Sequence, residues 1–317
     1  MLLASIAPET QAKTLDFRGV MAYIPFVIIA HLSDLHVLDL ENVRARDFFS
    51  KRAVGGTNLL TGRRNSHPLE LAERLIEDVT RIAPDHVVVT GDVTNLSLPG
   101  EFQRATRLLQ PLWGYDKLTV IPGNHDCYTA GAQAESRFER FFGELLFKDN
   151  TCTGTEQYPA IKVFDDVVIV GLSSALKTGA LMSWGQVGTG QLDRLDAALT
   201  RPDVQGKFII ALIHHNLHKR DPFKEVTSSL RDREELIARL LAHNVNVLCH
   251  GHTHRSNRFE VSLGSHSMLV IGSGSSTQNT ADPERVARYN LMQVEDGALR
   301  IRTRAYEPEH RRFEWLV

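Results

Sequence analysis

Cysteine is scarce in this chain, which has only Cys127, Cys152 and Cys249 among its 317 residues. An odd number of cysteines with no C-x-x-C spacing argues against a disulfide framework and against a zinc site built from thiolates. A reducing compartment is therefore the natural expectation for this sequence.

Long apolar runs are also missing. No stretch approaches the length that spans a bilayer, and the first segment, MLLASIAPETQAKTLDF, lacks the basic start and long apolar run of a secretory signal. We therefore expect a cytoplasmic protein. Met21 directly precedes the first convincing strand, so residues 1–20 are expected to form a flexible N-terminal extension.

Neither sign of charge dominates, since the formal net charge is −2. The sequence thus predicts no overall basic face and no extended surface for nucleic acid. The composition is otherwise that of a globular protein, with 42% hydrophobic and 23% charged residues, and the length permits a large core. Any attraction of this chain to an anion must therefore be local.

Short apolar runs alternate with amphipathic segments, which predicts strands connected by helices in a largely parallel sheet. The six runs are FVIIAHLSD, DHVVVTGD, KLTVIPGN, VVIVGLSS, KFIIALIHH and NVLCHGH. Apolar residues at helical spacing lie between them, as in HPLELAERLIEDVTRIAP. After Arg255 the pattern changes to hairpin-like strands, one pair being joined through Asp296-Gly297. We expect one α/β domain over residues 21–317.

A basic insert at about residues 39–67 interrupts this alternation. It is longer than a usual connection between a strand and a helix, and such loops tend to be functional or disordered. Arg63 and Arg64 within it are candidate substrate-binding residues. The phenylalanine and leucine side chains between its charges would suit peripheral contact with a membrane surface, or they would simply anchor an ordinary lid to the core.

Five of the six strand-forming runs end in side chains that bind metals. In open α/β sheets, ligands bind outside the carboxyl ends of the strands. The candidate residues at these ends are Asp34, His36, Asp92, Asn124, His125, His214, His215, His252 and His254. The Asp-x-His and His-x-His spacings would place two side chains on the same side of an extended segment. Five such strand ends together predict one common site.

Seven of these side chains provide enough donors for two metal ions that share a carboxylate. The seven are Asp34, His36, Asp92, Asn124, His214, His252 and His254. Asp92 follows the middle strand and is the natural bridge. Mixed imidazole, carboxylate and amide donors suit zinc, iron, manganese or cobalt better than calcium. Two divalent ions carry more charge than the two carboxylates cancel, so the site should attract an anion such as a small phosphate ester.

In chain order, the motifs DLH, GDVTN, GNHD, HH and GHTH resemble those of the calcineurin-like metallophosphoesterase superfamily. The resemblance covers residues 34–254 and implies a four-layer α/β/β/α sandwich of two facing mixed sheets. It implies two divalent ions, such as manganese, iron or zinc, and attack by a hydroxide that bridges them. The implied ligands are Asp34, His36 and His254 on one ion, Asn124, His214 and His252 on the other, and Asp92 on both.

The resemblance also implies catalytic roles for the last residues of the segment IPGNHD. His125 would contact the substrate phosphate and assist the leaving-group oxygen, and Asp126 would orient that imidazole. Asn95 would shape the loop behind the bridging carboxylate. His214 and His215 alternate in direction, so only one should bind metal; related sequences favour His214, which leaves His215 to touch substrate or to pack.

The GNHD form and the compact length resemble the bacterial cyclic-nucleotide phosphodiesterase branch of the superfamily, which implies phosphodiester substrates, 3′,5′-cyclic nucleotides among them. The alternative is a UDP-2,3-diacylglucosamine-type pyrophosphatase of lipid A synthesis, because the basic insert could hold a diphosphate and a lipid at a membrane surface. A non-catalytic scaffold of this superfamily would be expected to have lost ligands, and all seven are present. Nothing in the sequence indicates an oligomeric state.

Overall fold

The computed structural model describes residues 13–15, 21–23, 26–39, 66–127, 129–148, 157–179 and 181–316. Of the extension predicted at residues 1–20, it describes only Lys13–Leu15, a strand (β1) that pairs with Met21–Tyr23 (β2). Residues 40–65 of the basic insert, with Arg63 and Arg64, lie outside the described residues.

The first of two six-stranded sheets combines a parallel half with an antiparallel half. Its strands are β3 (Val27–Leu32), β4 (His86–Val89), β5 (Leu118–Val120), β12 (Arg288–Glu295), β13 (Ala298–Glu307) and β14 (Arg312–Trp315). Their spatial order is β14-β13-β12-β3-β4-β5. The neighbours β3, β4 and β5 are parallel, and the other pairs are antiparallel. The carboxyl ends of β3, β4 and β5 therefore meet at one edge.

The second sheet repeats this arrangement with a longer parallel part. Its strands are β6 (Ala160–Phe164), β7 (Val167–Gly171), β8 (Phe208–Leu212), β9 (Val247–His250), β10 (Ser256–Leu263) and β11 (His266–Ser273). Their order is β10-β11-β9-β8-β7-β6, and only the outer pairs, β6 with β7 and β10 with β11, are antiparallel. The carboxyl ends of β8 and β9 lie side by side as a result.

Helices cover the outer faces of both sheets. In chain order they are α1 (Leu69–Ile82), α2 (Pro99–Leu109), α3 (Ala130–Ala134), α4 (Arg137–Phe142), α5 (Thr189–Leu199), α6 (Pro222–Ser228) and α7 (Arg233–Ala242). Buried side chains of α1 and α2 share a core with the first sheet, and those of α5 and α7 share one with the second. None of the helices among the described residues is long and apolar enough to cross a membrane.

The two sheets pack face to face, which follows from the alternation of side chains along the strands. In β7, Val167 and Ile169 join the core that contains the first sheet, whereas Val168 joins the core beneath the helices of the second. The sulfur atoms of Cys249 and Met292 lie 3.7 Å apart between the sheets. Each fully buried aliphatic side chain stabilises this packing by about 1.5–3 kcal/mol. The four-layer α/β/β/α sandwich is therefore confirmed.

Most of the predicted elements form as the sequence pattern indicated. The six apolar runs become β3, β4, β5, β7, β8 and β9. The turn between β12 and β13 has positive φ at both Asp296 (50°) and Gly297 (73°), as a tight hairpin turn requires. The strands β6 and β14, at the edges of the two sheets, were not predicted: Lys162 interrupts the short apolar segment of β6, and the two apolar residues of β14 alternate with charged ones.

A buried ion pair fastens α1 to the first sheet. The Asp78 carboxylate of α1 lies 2.6 Å from Nε of Arg304 in β13 and accepts a hydrogen bond of 2.6 Å from the Tyr289 hydroxyl. Asp78 and Arg304 are 6% and 4% exposed. Removing one member of such a pair leaves the other charge buried without its partner, which costs far more than the pair itself contributes.

We therefore expect Asp78→Ala to lower the free energy of unfolding by about 3–5 kcal/mol, measured by urea denaturation. Glu70→Ala on the same helix is the matched control, because Glu70 pairs with Arg74 and Arg311 at the exposed surface. The control should leave stability nearly unchanged. Equal losses in the two variants would show that the buried position of Asp78 has no special effect.

Candidate metal centre

The structure brings all seven predicted metal ligands to one edge of the paired sheets. Asp34 and His36 follow β3, Asp92 follows β4, Asn124 follows β5, His214 follows β8, and His252 and His254 follow β9. The residues that follow β3, β4, β5 and β8 are at most 3% exposed, and those that follow β9 are partly exposed. The cluster therefore has a buried floor and one open side.

The backbone at these strand ends is not extended. Asp34, His36, Asp92, His252 and His254 all have positive φ, between 47° and 66°. The prediction that the Asp-x-His and His-x-His pairs lie on extended segments was therefore wrong. Their side chains converge because both residues of each pair have a left-handed backbone conformation. Non-glycine residues in this region are strained, and such strain is concentrated at functional sites.

One half of the cluster gathers around His36. Its Nε2 atom lies 3.0 Å from Nε2 of His254 and 3.8 Å from carboxylate oxygens of both Asp34 and Asp92. The Oδ1 atom of Asp34 lies 3.3 Å from the His254 nitrogen, is buried, and has no hydrogen-bond partner among the described residues. A buried carboxylate oxygen in this position fits a site for a cation.

The other half gathers around the Asn124 amide oxygen. This oxygen lies 3.1 Å from Nε2 of His214 and 2.9 Å from Nδ1 of His252. Oδ2 of Asp92 lies 3.4 Å from the same His214 nitrogen and 3.8 Å from Nε2 of His36 in the first half. Asp92 thus stands between the two halves, where a bridging carboxylate would have to lie.

Backbone carbonyls orient two of the imidazoles. Nδ1 of His214 donates to the Thr90 carbonyl at 2.8 Å, and Nε2 of His252 donates to the Ser228 carbonyl at 3.0 Å. Carbonyl oxygens only accept, so the nitrogen of each ring that faces Asn124 is the one left to bind a metal. Metal-binding histidines are held in this way by an outer hydrogen bond.

The electrostatics of the cluster suit a cation. Burial, followed by the neighbouring rings of His67, His125 and His254, holds the pKa of His36 well below its ordinary value. Burial and the adjacent His215 and His214 do the same for the pKa of His252. These two imidazoles are neutral at neutral pH and keep the lone pair that a metal requires.

His214 and Asp92 form an ion pair in the absence of metal. Burial lowers the pKa of His214, but the Asp92 carboxylate, Asp34 and the Thr90 carbonyl outweigh it and raise this pKa to about 9. Burial likewise raises the pKa of Asp92, but His214, His125 and His36 outweigh it and hold this pKa well below its ordinary value. A metal ion must therefore displace a proton from His214.

His125 is oriented by a group other than the predicted one. Its Nδ1 atom donates to the backbone carbonyl of Asn95 at 2.6 Å. Asp126, to which the sequence assigned this role, instead accepts hydrogen bonds from the backbone of Gly123, Val93 and Thr94 and from the Thr94 hydroxyl. Asp126 fastens the loops after β4 and β5 to each other, and its hydrogen bonds within the described part of the chain go to backbone groups and a hydroxyl.

His215 packs in the core behind the cluster. Its Nδ1 atom lies 2.8 Å from the Ser174 hydroxyl, and its Nε2 atom donates to the Ser183 carbonyl at 2.9 Å. The ring is fully buried. Since both nitrogens are engaged by the protein, the predicted substrate contact of His215 is replaced by its other predicted role, packing.

A cavity of about 260 Å³ lies over the open side of the cluster. Its lining includes Asp92, His125 and His254 from the cluster, and two cations, Arg220 and Lys224, that sequence reasoning did not single out. The predicted anion-binding residues Arg63 and Arg64 lie outside the described residues. The basic residues in the segment HHNLHKRDP, just after β8, are the feature of the sequence that could have indicated Arg220.

Sequence reasoning also missed His67. Its ring lies 4.7 Å from the ring of His36 and 5.7 Å from that of His254, centroid to centroid. The residue ends the basic insert instead of a strand, so the pattern of polar residues at strand ends could not include it.

Two comparisons bear on family and curated relatives. The family model described as calcineurin-like phosphoesterase matches residues 27–256, which contain all seven predicted ligands. A comparison with curated proteins found no match.

Comparison with solved structures finds matches at low sequence identity. A purple acid phosphatase from yellow lupin (Lupinus luteus) seeds is 14% identical, with a TM-score of 0.58; the match covers 91% of this chain and 55% of that one, so this chain spans about half its length. A predicted phosphoesterase from Streptococcus pneumoniae is 12% identical, with a TM-score of 0.36 and coverage of 92% and 98%. Vps29 from Entamoeba histolytica in complex with zinc is 13% identical, with a TM-score of 0.41 and coverage of 91% and 98%. At 14% identity, the likeness to the purple acid phosphatase concerns the fold alone.

The His214–Asp92 ion pair predicts how metal affinity depends on pH. Below a pKa of about 9, His214 is protonated in the metal-free protein, so each metal that binds there must release one proton. We expect the affinity for Mn²⁺ to fall about tenfold for each pH unit below 9, with about one proton released from this residue.

Calorimetric titration in two buffers of different ionisation enthalpy measures that proton. His215→Asn is the matched control, because His215 is adjacent but engaged by Ser174 and Ser183, and it should release the same proton as the wild type. An affinity that does not change between pH 6.5 and 8.5 would contradict the ion pair.

Proposed function

The chain belongs to the calcineurin-like phosphoesterase family, and from that premise we propose that it hydrolyses phosphodiesters with two divalent metal ions. 3′,5′-Cyclic nucleotides are the first substrates to test. The position of one carboxylate carries the proposal: Oδ2 of Asp92 stands 3.8 Å and 3.4 Å from the imidazole nitrogens of His36 and His214, with further donors beyond each. Such an arrangement is what two ions sharing a ligand require.

The residues present fit this pair of ions. Asp34, His36 and His254 would hold one ion, Asn124, His214 and His252 the other, and Asp92 both. The mixture of imidazole, carboxylate and amide donors suits manganese, iron or zinc. When bound, the ions would polarise the phosphoryl oxygens and lower the pKa of a water molecule to supply the nucleophile.

The chain's own cations would help to attract the substrate. Arg220 and Lys224 line the same cavity as the cluster, with Lys224 exposed and Arg220 partly exposed. A phosphodiester carries a negative charge, and cations around a small cavity with low-dielectric walls raise the local concentration of anions. These two side chains therefore favour an anionic ester over a neutral substrate.

His125 is placed to act on the leaving group. The Asn95 carbonyl fixes its Nδ1 atom as a donor, and the ring lies edge-on to that of His36 at the floor of the cavity. When a phosphodiester is cleaved, the departing oxygen leaves as an alkoxide and needs a proton. We assign the delivery of that proton to Nε2 of His125, acting as an imidazolium with both nitrogens protonated; after the transfer, the ring keeps its hydrogen on Nδ1.

Asp126 supports this arrangement from behind. Its carboxylate is buried and accepts three backbone hydrogen bonds, which hold the loop carrying His125 against the loop carrying Asp92. Burial, followed by repulsion from Asp92, raises the pKa of Asp126 to about 7. The role proposed for Asp126 is thus to position two loops, in place of orienting the imidazole.

Diesters are preferred over the lipid-linked diphosphate because the described cavity is small and polar. The pyrophosphatase alternative depends on insert residues such as Arg63 and Arg64, which lie outside the described residues. The scaffold alternative is disfavoured by a complete ligand set gathered in one place.

A cytoplasmic location remains part of the proposal, supported by Cys127 and Cys249, both free thiols in the described part of the chain.

Hydrolysis of a substrate panel tests the proposed function. Manganese-loaded protein is assayed with cAMP, bis-p-nitrophenyl phosphate, p-nitrophenyl phosphate and UDP-diacylglucosamine, and metal-stripped protein is the control. We expect fast, metal-dependent turnover of the two diesters. Turnover confined to UDP-diacylglucosamine would favour the pyrophosphatase, and no turnover of any ester would favour the scaffold.

Substitution of His125 tests its assigned role. His125→Ala should keep both metals and lower kcat on cAMP by about 10²–10⁴-fold, because the leaving oxygen lacks its proton donor. Asp92→Ala should lose metal as well as activity. His310→Ala is the control, since His310 is exposed and pairs with Glu314. Full activity of His125→Ala on an ester with a poor leaving group would refute the role.

A further inference from the structure

His67 occupies the cluster from a part of the chain that supplies none of the predicted ligands. It precedes Pro68, the residue before α1, and its side chain is partly buried. Its ring faces both His36 and His254, at centroid distances of 4.7 Å and 5.7 Å. Candidate ligand atoms of these three histidines all lie within 4.8 Å of one another.

A hydrogen bond to Thr277 determines which nitrogen of His67 carries the hydrogen. The Thr277 hydroxyl donates its single hydrogen toward the backbone carbonyls of Leu35 at 2.8 Å and Asp34 at 3.3 Å. The same hydroxyl oxygen lies 2.9 Å from Nδ1 of His67, so in this contact the ring must donate. In a neutral imidazole with the hydrogen on Nδ1, the lone pair is on Nε2.

The loop after β11 holds His67 and Asp34 together. The backbone N–H of Asn279 donates to the Ser66 carbonyl at 2.7 Å, directly before His67. The Ser275 hydroxyl in the same loop donates to the Asp34 carbonyl at 2.9 Å. The position of His67 relative to Asp34 is therefore defined by hydrogen bonds on both sides of one loop.

The anchoring of His67 matches that of two predicted ligands. In His214 and His252, one ring nitrogen donates to a protein oxygen and the other faces the cluster. His67 has the same arrangement, with the Thr277 hydroxyl as the acceptor. An outer hydrogen bond of this kind orients a histidine ligand for its metal. The same anchoring in three imidazoles around one cluster indicates the same role, metal binding, for all three.

We propose that His67 is an additional ligand, through Nε2, of the ion assigned to Asp34, His36 and His254; this inference rests on the proposed two-metal function. Nitrogen ligands lie about 2.0–2.1 Å from zinc, so two on one ion are at most about 4.2 Å apart. The candidate ligand atoms of the three histidines lie within 4.8 Å of one another, close to this limit. The ion would then have three imidazoles, and the other ion two.

The two ions would differ in their number of imidazole ligands, and this difference has a measurable consequence. The ion that His67 binds would have three imidazoles and two carboxylates, one nitrogen donor more than the other ion, which would have two imidazoles, one carboxylate and one amide oxygen. Additional imidazole donors favour late first-row metals such as cobalt and zinc. The half containing His67 should therefore bind Co²⁺ first and more tightly. Loss of His67 should weaken one of the two binding events and leave the other unchanged.

Titration of metal-stripped protein with Co²⁺, followed by its visible absorption, tests the assignment without an activity assay. Loss of an outer hydrogen bond to a ligand typically lowers metal affinity about 10–100-fold, so loss of the ligand itself in His67→Ala should weaken binding of one of the two ions by at least that factor and change the absorption of that ion. Added imidazole should restore the absorption. Thr277→Val removes the acceptor of Nδ1, together with the hydrogen bonds of this hydroxyl to the Leu35 and Asp34 carbonyls, but keeps the imidazole, so it should give a smaller loss. His310→Ala should match the wild type.

The outcomes separate this inference from the proposed function. If His67→Ala binds both ions with wild-type affinity and absorption, His67 is not a ligand. Weaker binding of inorganic phosphate by His67→Ala at unchanged metal binding would also overturn ligation, in favour of a contact with the substrate. If the wild type binds two ions and His67→Ala loses one, but no ester is hydrolysed, the ligand assignment holds and the proposed function fails.

Discussion

A single buried carboxylate, that of Asp92, organises the centre of this protein. One oxygen accepts a hydrogen bond of 2.7 Å from the backbone of His125, and the other faces His36 and His214. An isolated carboxylate at 2% exposure would cost several kcal/mol, and the surrounding imidazoles offset that cost. Gly123 permits the approach, because a Cβ atom there would lie 2.2 Å from the Asp92 oxygen. The two halves of the cluster meet only because this carboxylate can sit between them.

The sandwich of two sheets supplies the rest of the arrangement. Parallel strands of the first sheet end beside parallel strands of the second, so donors from distant parts of the chain converge at one edge. Left-handed residues at these ends turn the side chains of Asp34, His36 and His254 inward. The fold brings the donors to one edge, and the strained backbone at the strand ends directs their side chains into the cluster.

Most of this centre could be predicted from the sequence, because the carboxyl ends of neighbouring parallel strands lie at one edge of a sheet and bring their polar residues together. The sequence could not show that the Asn95 carbonyl, and not Asp126, orients His125. Every residue has a backbone carbonyl, so the sequence does not reveal which of them accepts a given hydrogen bond. His67 escaped prediction for a different reason: it ends a long insert without periodicity, and only the contact with Thr277 reveals its place. Long-range contacts of this kind depend on the folded loops, which local patterns do not describe.

Electron paramagnetic resonance of the protein titrated with Mn²⁺ shows whether Asp92 bridges two ions, since two ions that share its carboxylate are magnetically coupled. We expect the second equivalent of Mn²⁺ to convert the spectrum to that of an exchange-coupled pair. Saturation at one equivalent, or two equivalents that give only the spectrum of isolated ions, would contradict a shared ligand between the two halves of the cluster.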